Sequence, residues 1–536
     1  MQTTLQTILS QSPNQSGWAN LVLGPGELHQ GKMPVAGAVP IVTLIHSSDW
    51  HICDAESPAR QEYLDRWFDP DSEFRSDIGF IGTYRPQEAF TLQVAAAWIE
   101  ALNEITAGPV MGRSIDAVVI TGDVTDNAQQ NEIDWYLTLL DGGYVDPSSG
   151  REVSHWVGST ESVTWDARYW HPEGSGKAGE VDLPTGTYGF PTIPGLLKAA
   201  RNRFVAKGLK HNWFSIHGNH DALLQGTVPP DEALTALAVG SHRVIGLPAN
   251  VSPLIISEAI PGTGSAKYIH DHTYPVEEVP SDDSRKFLKP SDFAKLHLSS
   301  TSLPSGHGFT AKNLSDNSAY FSARIGEAVL ISIDTVNLNG GWQGSIDRKQ
   351  FDWLKSQLEA NKDEYVILAS HHPVHCLING FKSSDENERV LAQEFLDLVF
   401  EYPNVIAMLT GHEHKHAIYT HSRGDRSFIE INSPSLIDWP QQGRILEIAR
   451  EADGTIVFIS TVIDHLGEIS PDFQRLSISD IAGISRLLAV NDYQRREQAT
   501  SVHKLRGHTY ERNFSIRIPD PFLRDENSIR HMGFEE

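Results

Sequence analysis

The residues best placed to do chemistry are Asp49, His51, Asp123, Asn219, His220, His371, His412 and His414. They sit in five polar clusters: His46-Ser-Ser-Asp-Trp-His51, Thr121-Gly-Asp-Val-Thr-Asp126, His217-Gly-Asn-His-Asp221, Ser370-His-His-Pro373 and Thr410-Gly-His-Glu-His414. The donors are oxygen and nitrogen, and no thiolate is needed. Such a set suits one or two first-row divalent cations better than a cysteine-based structural zinc. In Asp-x-His and His-x-His, alternate residues leaving a strand point the same way, so both can face one ion. A shared carboxylate such as Asp123 could bridge two cations about 3.5–4 Å apart, the arrangement used for in-line attack at phosphorus. Gly122, Gly218 and Gly411 each precede a candidate ligand, as expected where backbone turns tightly beside a crowded site.

The elements that must position these groups are also legible. Each cluster follows a short apolar run: residues 41–45, 115–120, 213–216, 365–369 and 405–409. Runs of this length bounded by turn signals read as buried strands. Helical periodicity over 87–105, 346–360 and 388–400 separates them, so strand and helix alternate and the class is α/β. A later β-rich stretch covers 417–419, 427–431, 444–449 and 455–462, and a helical pattern follows over 478–496. The expected division is an N-terminal extension (1–40), a catalytic unit (41–465) with insertions at about 142–210 and 223–312, and a C-terminal helical extension and tail (466–536).

Composition narrows the possibilities. Among 536 residues, 43 Lys+Arg against 69 Asp+Glu give a net charge of −26, which opposes binding of polyanions such as nucleic acid. With 40% apolar residues the chain can bury a sizeable core. Two cysteines, Cys53 and Cys376, exclude a disulfide framework and are expected to be ordinary buried thiols. No apolar stretch approaches the roughly 20 residues needed to span a bilayer, and residues 1–21 lack a signal-peptide pattern. A cytoplasmic protein without membrane contact is the expectation; nothing in the sequence sets its oligomeric state.

The motifs Asp49-Trp-His51, Gly122-Asp123, Gly218-Asn-His-Asp221, His371-His-Pro373 and Gly411-His-Glu-His414 resemble the five ordered motifs of the calcineurin-like metallophosphoesterases. The resemblance spans about residues 41 to 420. It implies a four-layer αββα sandwich of two mixed β-sheets flanked by helices, carrying a dinuclear metal centre. One metal would be held by Asp49, His51, Asp123 and His414, the other by Asp123, Asn219, His371 and His412. His220 would contact the phosphate and protonate the leaving oxygen, with Asp221 orienting it, while His372 is a neighbour. The implied activity is hydrolysis of a small soluble phosphoester by hydroxide activated between two metals, a phosphodiester slightly preferred over a phosphomonoester. Alternatives are a nuclease acting on DNA or RNA, or a non-catalytic scaffold on the same fold. In the purple acid phosphatase branch a tyrosine follows the bridging aspartate by three residues; here that position is Asp126, which argues against a charge-transfer ferric site and leaves Mn, Fe(II) or Zn.

Four weaker features complete the expectation. His416 is expected to face solvent. The aromatic segment His155-Trp156, Trp165 and Tyr169-Trp170-His171 reads as loop packing, with stacking on a flat leaving group as the alternative. The run Asp438–Gln442 is expected to shape a turn without chemistry, and the helix beginning near Ile478 to dock on its own domain.

Overall fold

The computed structural model describes residues 6–78, 81–150, 157–160, 165–175, 177, 179–254, 274–384, 388–494 and 506–523. Two six-stranded sheets dominate. The first runs β12 (Phe514–Pro519), β11 (Thr455–Asp464), β10 (Gln442–Arg450), β1 (Val39–Ser47), β2 (Ala117–Ile120), β3 (Trp213–Ser215). The second runs β4 (Phe321–Ile325), β5 (Ala328–Ile333), β6 (Tyr365–Ser370), β7 (Val405–Thr410), β9 (Arg426–Asn432), β8 (Ala417–Arg423). Strands β1, β2 and β3 are mutually parallel, as are β5, β6, β7 and β9, so both sheets are mixed.

Side-chain alternation explains the layering. Leu330, Ile367, Ala369, Ala407 and Leu409 join the core shared with the first sheet, beside Leu44 and Val119. Their neighbours Val329, Ile331, Val366, Leu368 and Met408 point the other way. There they meet Leu354 and Leu358 of α4 (Arg348–Ala360) and Phe395 and Leu398 of α5 (Ala392–Val399). Each strand is therefore buried on both faces, which is why these segments read as continuous apolar runs. On the far side of the first sheet, α1 (Thr91–Glu104) contributes Leu92, Trp98 and Leu102, and α2 (Gln130–Asp141) contributes Ile133, Tyr136 and Leu140. Helix, sheet, sheet and helix give the expected four layers.

The remaining pieces elaborate this frame. Within the second insertion α3 (Pro290–Ser299) starts with proline in its first turn, where a missing N–H costs nothing. Strands β4 and β5 end in no metal-type motif, so motif spacing does not reveal them. The segment after 466, expected as a helical extension and tail, holds α6 (Ile478–Val490), packed along α1, and the edge strand β12. Residues 495–496 of the expected helix lie outside the described residues. No helix among the described residues is long and apolar enough to cross a membrane.

Burial also places several carboxyls under strain. At the start of α2, Glu132 is fully buried and accepts from the backbone N–H groups of Asp54 (2.8 Å) and Asn127 (2.8 Å). Burial, reinforced by the charge of Asp126, raises it to about 8, and burial raises Glu88 to about 8 as well. Because the folded state holds these protons more tightly, their stabilisation is complete below the unfolded carboxyl range and is lost as pH rises through about 8. The melting temperature is therefore expected to fall between about pH 6 and about pH 9, and Glu132→Gln to flatten that slope. A slope unchanged in the variant would exclude Glu132 as a contributor.

Candidate metal centre

Parallel pairing brings the carboxyl ends of β1, β2 and β3 to one edge, and those of β6 and β7 to the facing edge of the other sheet. Beyond the strands the loops zip together: Asp49 N–H donates to Gly122 O (3.0 Å), His51 N–H to Asp123 O (2.9 Å) and Gly411 N–H to His371 O (2.9 Å). These contacts hold an uncommon backbone. Asp49, His51, Asp123, His412 and His414 all have left-handed φ, from 46° to 73°. Each such L-residue costs about 1–2 kcal/mol, and strain of this kind gathers at functional sites.

The side chains converge. His414 Nε2 lies 3.2 Å from Asp49 Oδ1 and 3.2 Å from His51 Nε2, and His51 Nε2 lies 3.9 Å from Asp123 Oδ2. On the other side of Asp123, Oδ2 is 3.1 Å from His371 Nε2, which is 3.2 Å from His412 Nδ1. Asp49, His51 and His414 form one group of ligand atoms close enough for a single ion; Asp49, Asp123 and His371 form another. The Asn219 amide donates to Gly226 O (3.0 Å), while its buried Oδ1 has no hydrogen-bond partner. An orphaned acceptor here is costly unless it ligates something. Oxygen and imidazole donors with one unpartnered amide oxygen fit a pair of divalent transition-metal ions.

Electrostatics point the same way. Burial opposes ionisation of Asp49, yet the charge and hydrogen bond of His414 and the charge of His371 bring it down to about 2. Burial would discharge His371, but the Asp123 and Asp49 carboxylates raise it to about 9. Burial and the His371 charge press His412 down to about 3. Buried carboxylates thus draw protons onto His371 and His414, and a bound cation would displace them.

Three of the imidazoles are held from behind. His51 Nδ1 pairs with Asp126 Oδ1 (2.9 Å), His414 Nδ1 with Asp438 Oδ2 (2.6 Å) and His371 Nδ1 with Thr121 O (2.8 Å). His372 bonds Thr335 Oγ1 (2.8 Å) and Trp342 O (3.0 Å) through its two ring nitrogens, which leaves it a neighbour. His220 packs edge-on to His51 at 4.5 Å, and its Nδ1 donates to Asp126 O (2.7 Å). That carbonyl orients the ring in place of Asp221, whose carboxylate accepts from Thr125 N–H (2.9 Å) and Gly218 N–H (2.8 Å) and holds the turn instead. Burial lowers the His220 pKa, against the pull of Asp123 and Asp126.

Other expectations change. Asp438, expected only to shape a turn, backs His414; the nearby Trp and Pro signal a turn but not its long-range partner. His416 is fully buried, bonded to Arg444 Nη2 (2.6 Å), because it sits between strands rather than at the site mouth. Cys53 and Cys376 are buried and free. Trp165 and Tyr169 line a cavity of about 290 Å³ with Tyr63 and Arg243; His155 and Trp156 lie outside the described residues.

The expected glycine packing is present. A Cβ on Gly122 would lie 2.7 Å from His371 Nδ1, and one on Gly218 would overlap the backbone N and Oδ1 of Asp123. Gly218→Ala is therefore expected to destabilise by about 1–3 kcal/mol, read from the denaturant midpoint. An unchanged midpoint would mean that the loop relaxes freely.

Comparison with known proteins adds a similarity to one family. The calcineurin-like phosphoesterase model matches residues 192–416, which include Gly218-Asn-His-Asp221, His371-His-Pro373 and Gly411-His-Glu-His414. No curated protein matches the sequence. A dimetal phosphatase from Danio rerio is similar at 13% identity, covering 80% of this chain and 99% of its own, with a TM-score of 0.29. GAP50, the anchor in the inner membrane complex of Plasmodium, is similar at 11% identity, covering 78% of this chain and 84% of its own, with a TM-score of 0.26. Over residues 192–416 this chain is similar to the calcineurin-like phosphoesterase family.

Proposed function

We propose that the chain hydrolyses a phosphoester of a small soluble molecule at two divalent transition-metal ions, Mn, Fe or Zn, with a mild preference for a diester. The observation carrying this reading is the convergence of Asp49, His51, Asp123, His371, His412 and His414 in one buried crevice beside the unpartnered Asn219 Oδ1. Asp49, His51, Asp123 and His414 would hold one ion, and Asp123, Asn219, His371 and His412 the other. When bound, the cations supply the charge that lowers the pKa of a water and gathers negative charge from phosphorus oxygens. The net charge of −26 supports a small substrate over a polyanion.

His220 is assigned the proton that the departing oxygen takes up. Its Nδ1 is committed to Asp126 O, which leaves Nε2 as the titrating nitrogen. Half-buried and neutral at rest, the ring would gain its proton as an anionic phosphate arrives, because a nearby negative charge favours imidazolium. Asp123 also accepts from His220 N–H (2.8 Å), so one residue would fix both the ions and the acid. The catalytic unit is assigned to residues 41–465. Its two insertions, which supply Trp165, Tyr169 and Arg243 to the lateral cavity, are assigned to substrate choice.

Reconstituted protein should release p-nitrophenol from bis-p-nitrophenyl phosphate in a chelator-sensitive manner, and faster than from the monoester. His220→Ala should lower turnover by roughly 10²–10⁴. Turnover only on the monoester would make the protein a phosphatase. Absence of any stoichiometric transition metal after reconstitution would leave a non-catalytic scaffold.

A further inference from the structure

Between β5 and α4 the segment Asn337-Leu-Asn-Gly-Gly-Trp342 turns through two glycines with left-handed φ, 100° and 86°. The turn delivers Trp342 to the metal crevice. Its indole lies nearly parallel to the His412 imidazole, with ring centroids 5.7 Å apart and 19° between the planes. Its carbonyl accepts from His372 Nε2 (3.0 Å). Yet Trp342 is 45% exposed, whereas Trp50 and Trp439, beside Asp49 and Asp438, are buried.

The exposure is built in. Gly341 N–H donates to Thr227 O (2.9 Å) and Gly344 N–H to Cys376 O (3.0 Å), so the backbone is fixed on both sides of the tryptophan. Asn379 Nδ2 donates to the carbonyls of Gly340 (2.8 Å) and Gln343 (3.0 Å), and Asn337 Nδ2 to Phe381 O (2.8 Å). These bonds stitch the tryptophan loop to residues 377–381. Exposed Leu338, Ile378 and Phe381 ride on the same two loops, and a Cβ on Gly341 would lie 3.5 Å from Phe381 Cε2. A rigid apolar shelf therefore borders a candidate ion ligand, where an oxyanion alone would gain nothing from it. Exposed apolar surface of this kind marks a binding site. An indole already held in place gives up little freedom when a flat ring covers it.

We propose that Trp342 is a specificity-determining residue: its indole stacks on a flat aromatic or heteroaromatic group of the phosphoester and selects aryl and nucleoside-like esters over alkyl ones. The near-parallel contact with His412 points to this occupant, because a ring on Trp342 would belong to the molecule whose phosphorus meets the ions. This rests on the dinuclear reading above and names the organic half of its substrate. Trp342 contributes to affinity, since the indole is assigned to the organic group and to no reacting atom.

The test uses the full chain loaded with Mn²⁺ and two probes that share a headgroup and resist hydrolysis, phenylphosphonate and methylphosphonate, with affinities read by calorimetry. Wild type should bind phenylphosphonate tighter by roughly 5–100-fold, the range of one ring stacked on an aromatic side chain. Trp342→Ala and Trp342→Leu should each remove most of that advantage and leave methylphosphonate affinity in place, while Trp342→Phe should keep most of it. In turnover, Trp342→Ala should raise KM for bis-p-nitrophenyl phosphate more than it lowers kcat. If Trp342→Ala does not fold, Trp342→Leu, which stays apolar and loses the flat face, carries the test. Failure of wild type to bind either phosphonate would sink the phosphoester reading itself. Equal affinity for the two probes, or a ratio unmoved in the folded variants, would overturn the stacking while that reading stands.

Discussion

Everything in this molecule is arranged around two carboxylates, Asp49 and Asp123, held in a place almost without water. Asp49 is fully buried and Asp123 nearly so, and among the described residues neither pairs with a guanidinium or ammonium group, only with imidazoles. Isolated negative charge in such surroundings is expensive, so the crevice is stable only with cations or protons inside it. The left-handed turns, the close-packed glycines and the histidine ring that surrounds the pair all follow from concentrating anionic ligands at two facing sheet edges.

The frame makes that concentration affordable. Two parallel blocks of strands, each buried on both faces, set strand ends at fixed spacing, and side chains leaving them inherit that rigidity. Behind the ligands, carboxylates and carbonyls pin the imidazoles so that little freedom is left to lose when a ligand arrives. Arg60 and Arg85 extend this support outward to Glu88, just before α1, and thereby tie the crevice to the helical layer over the first sheet.

How far this was legible in the sequence depends on the range of the signal. Strands β1, β2, β3, β6 and β7 were readable because an apolar run and a polar cluster adjoin in the chain, and the eight candidate residues ride on those same junctions. Asp438 was not readable. Its role comes from a contact with His414 made only after β8 and β9 fold back, and the Trp-Pro beside it announces a turn of any kind. Asp221 shows the opposite failure: adjacency to His220 invites a pairing, whereas the tight turn directs its carboxylate to Thr125 and Gly218. His416 follows His414 at the same alternation, but the register of β10 puts Arg444 against it and closes it off from solvent.

The outermost strand of the first sheet has an implication for biogenesis. β12 is drawn from Phe514–Pro519, yet it covers the free margin of β11, and Asp520 just beyond it accepts from the Tyr365 hydroxyl of the second sheet (3.0 Å). While the chain is still emerging from the ribosome, that margin stays bare, a row of unsatisfied amide groups of the kind that recruits stray strands. That margin, and the contact between Asp520 and Tyr365, can close only once residues 514–520 have left the ribosome.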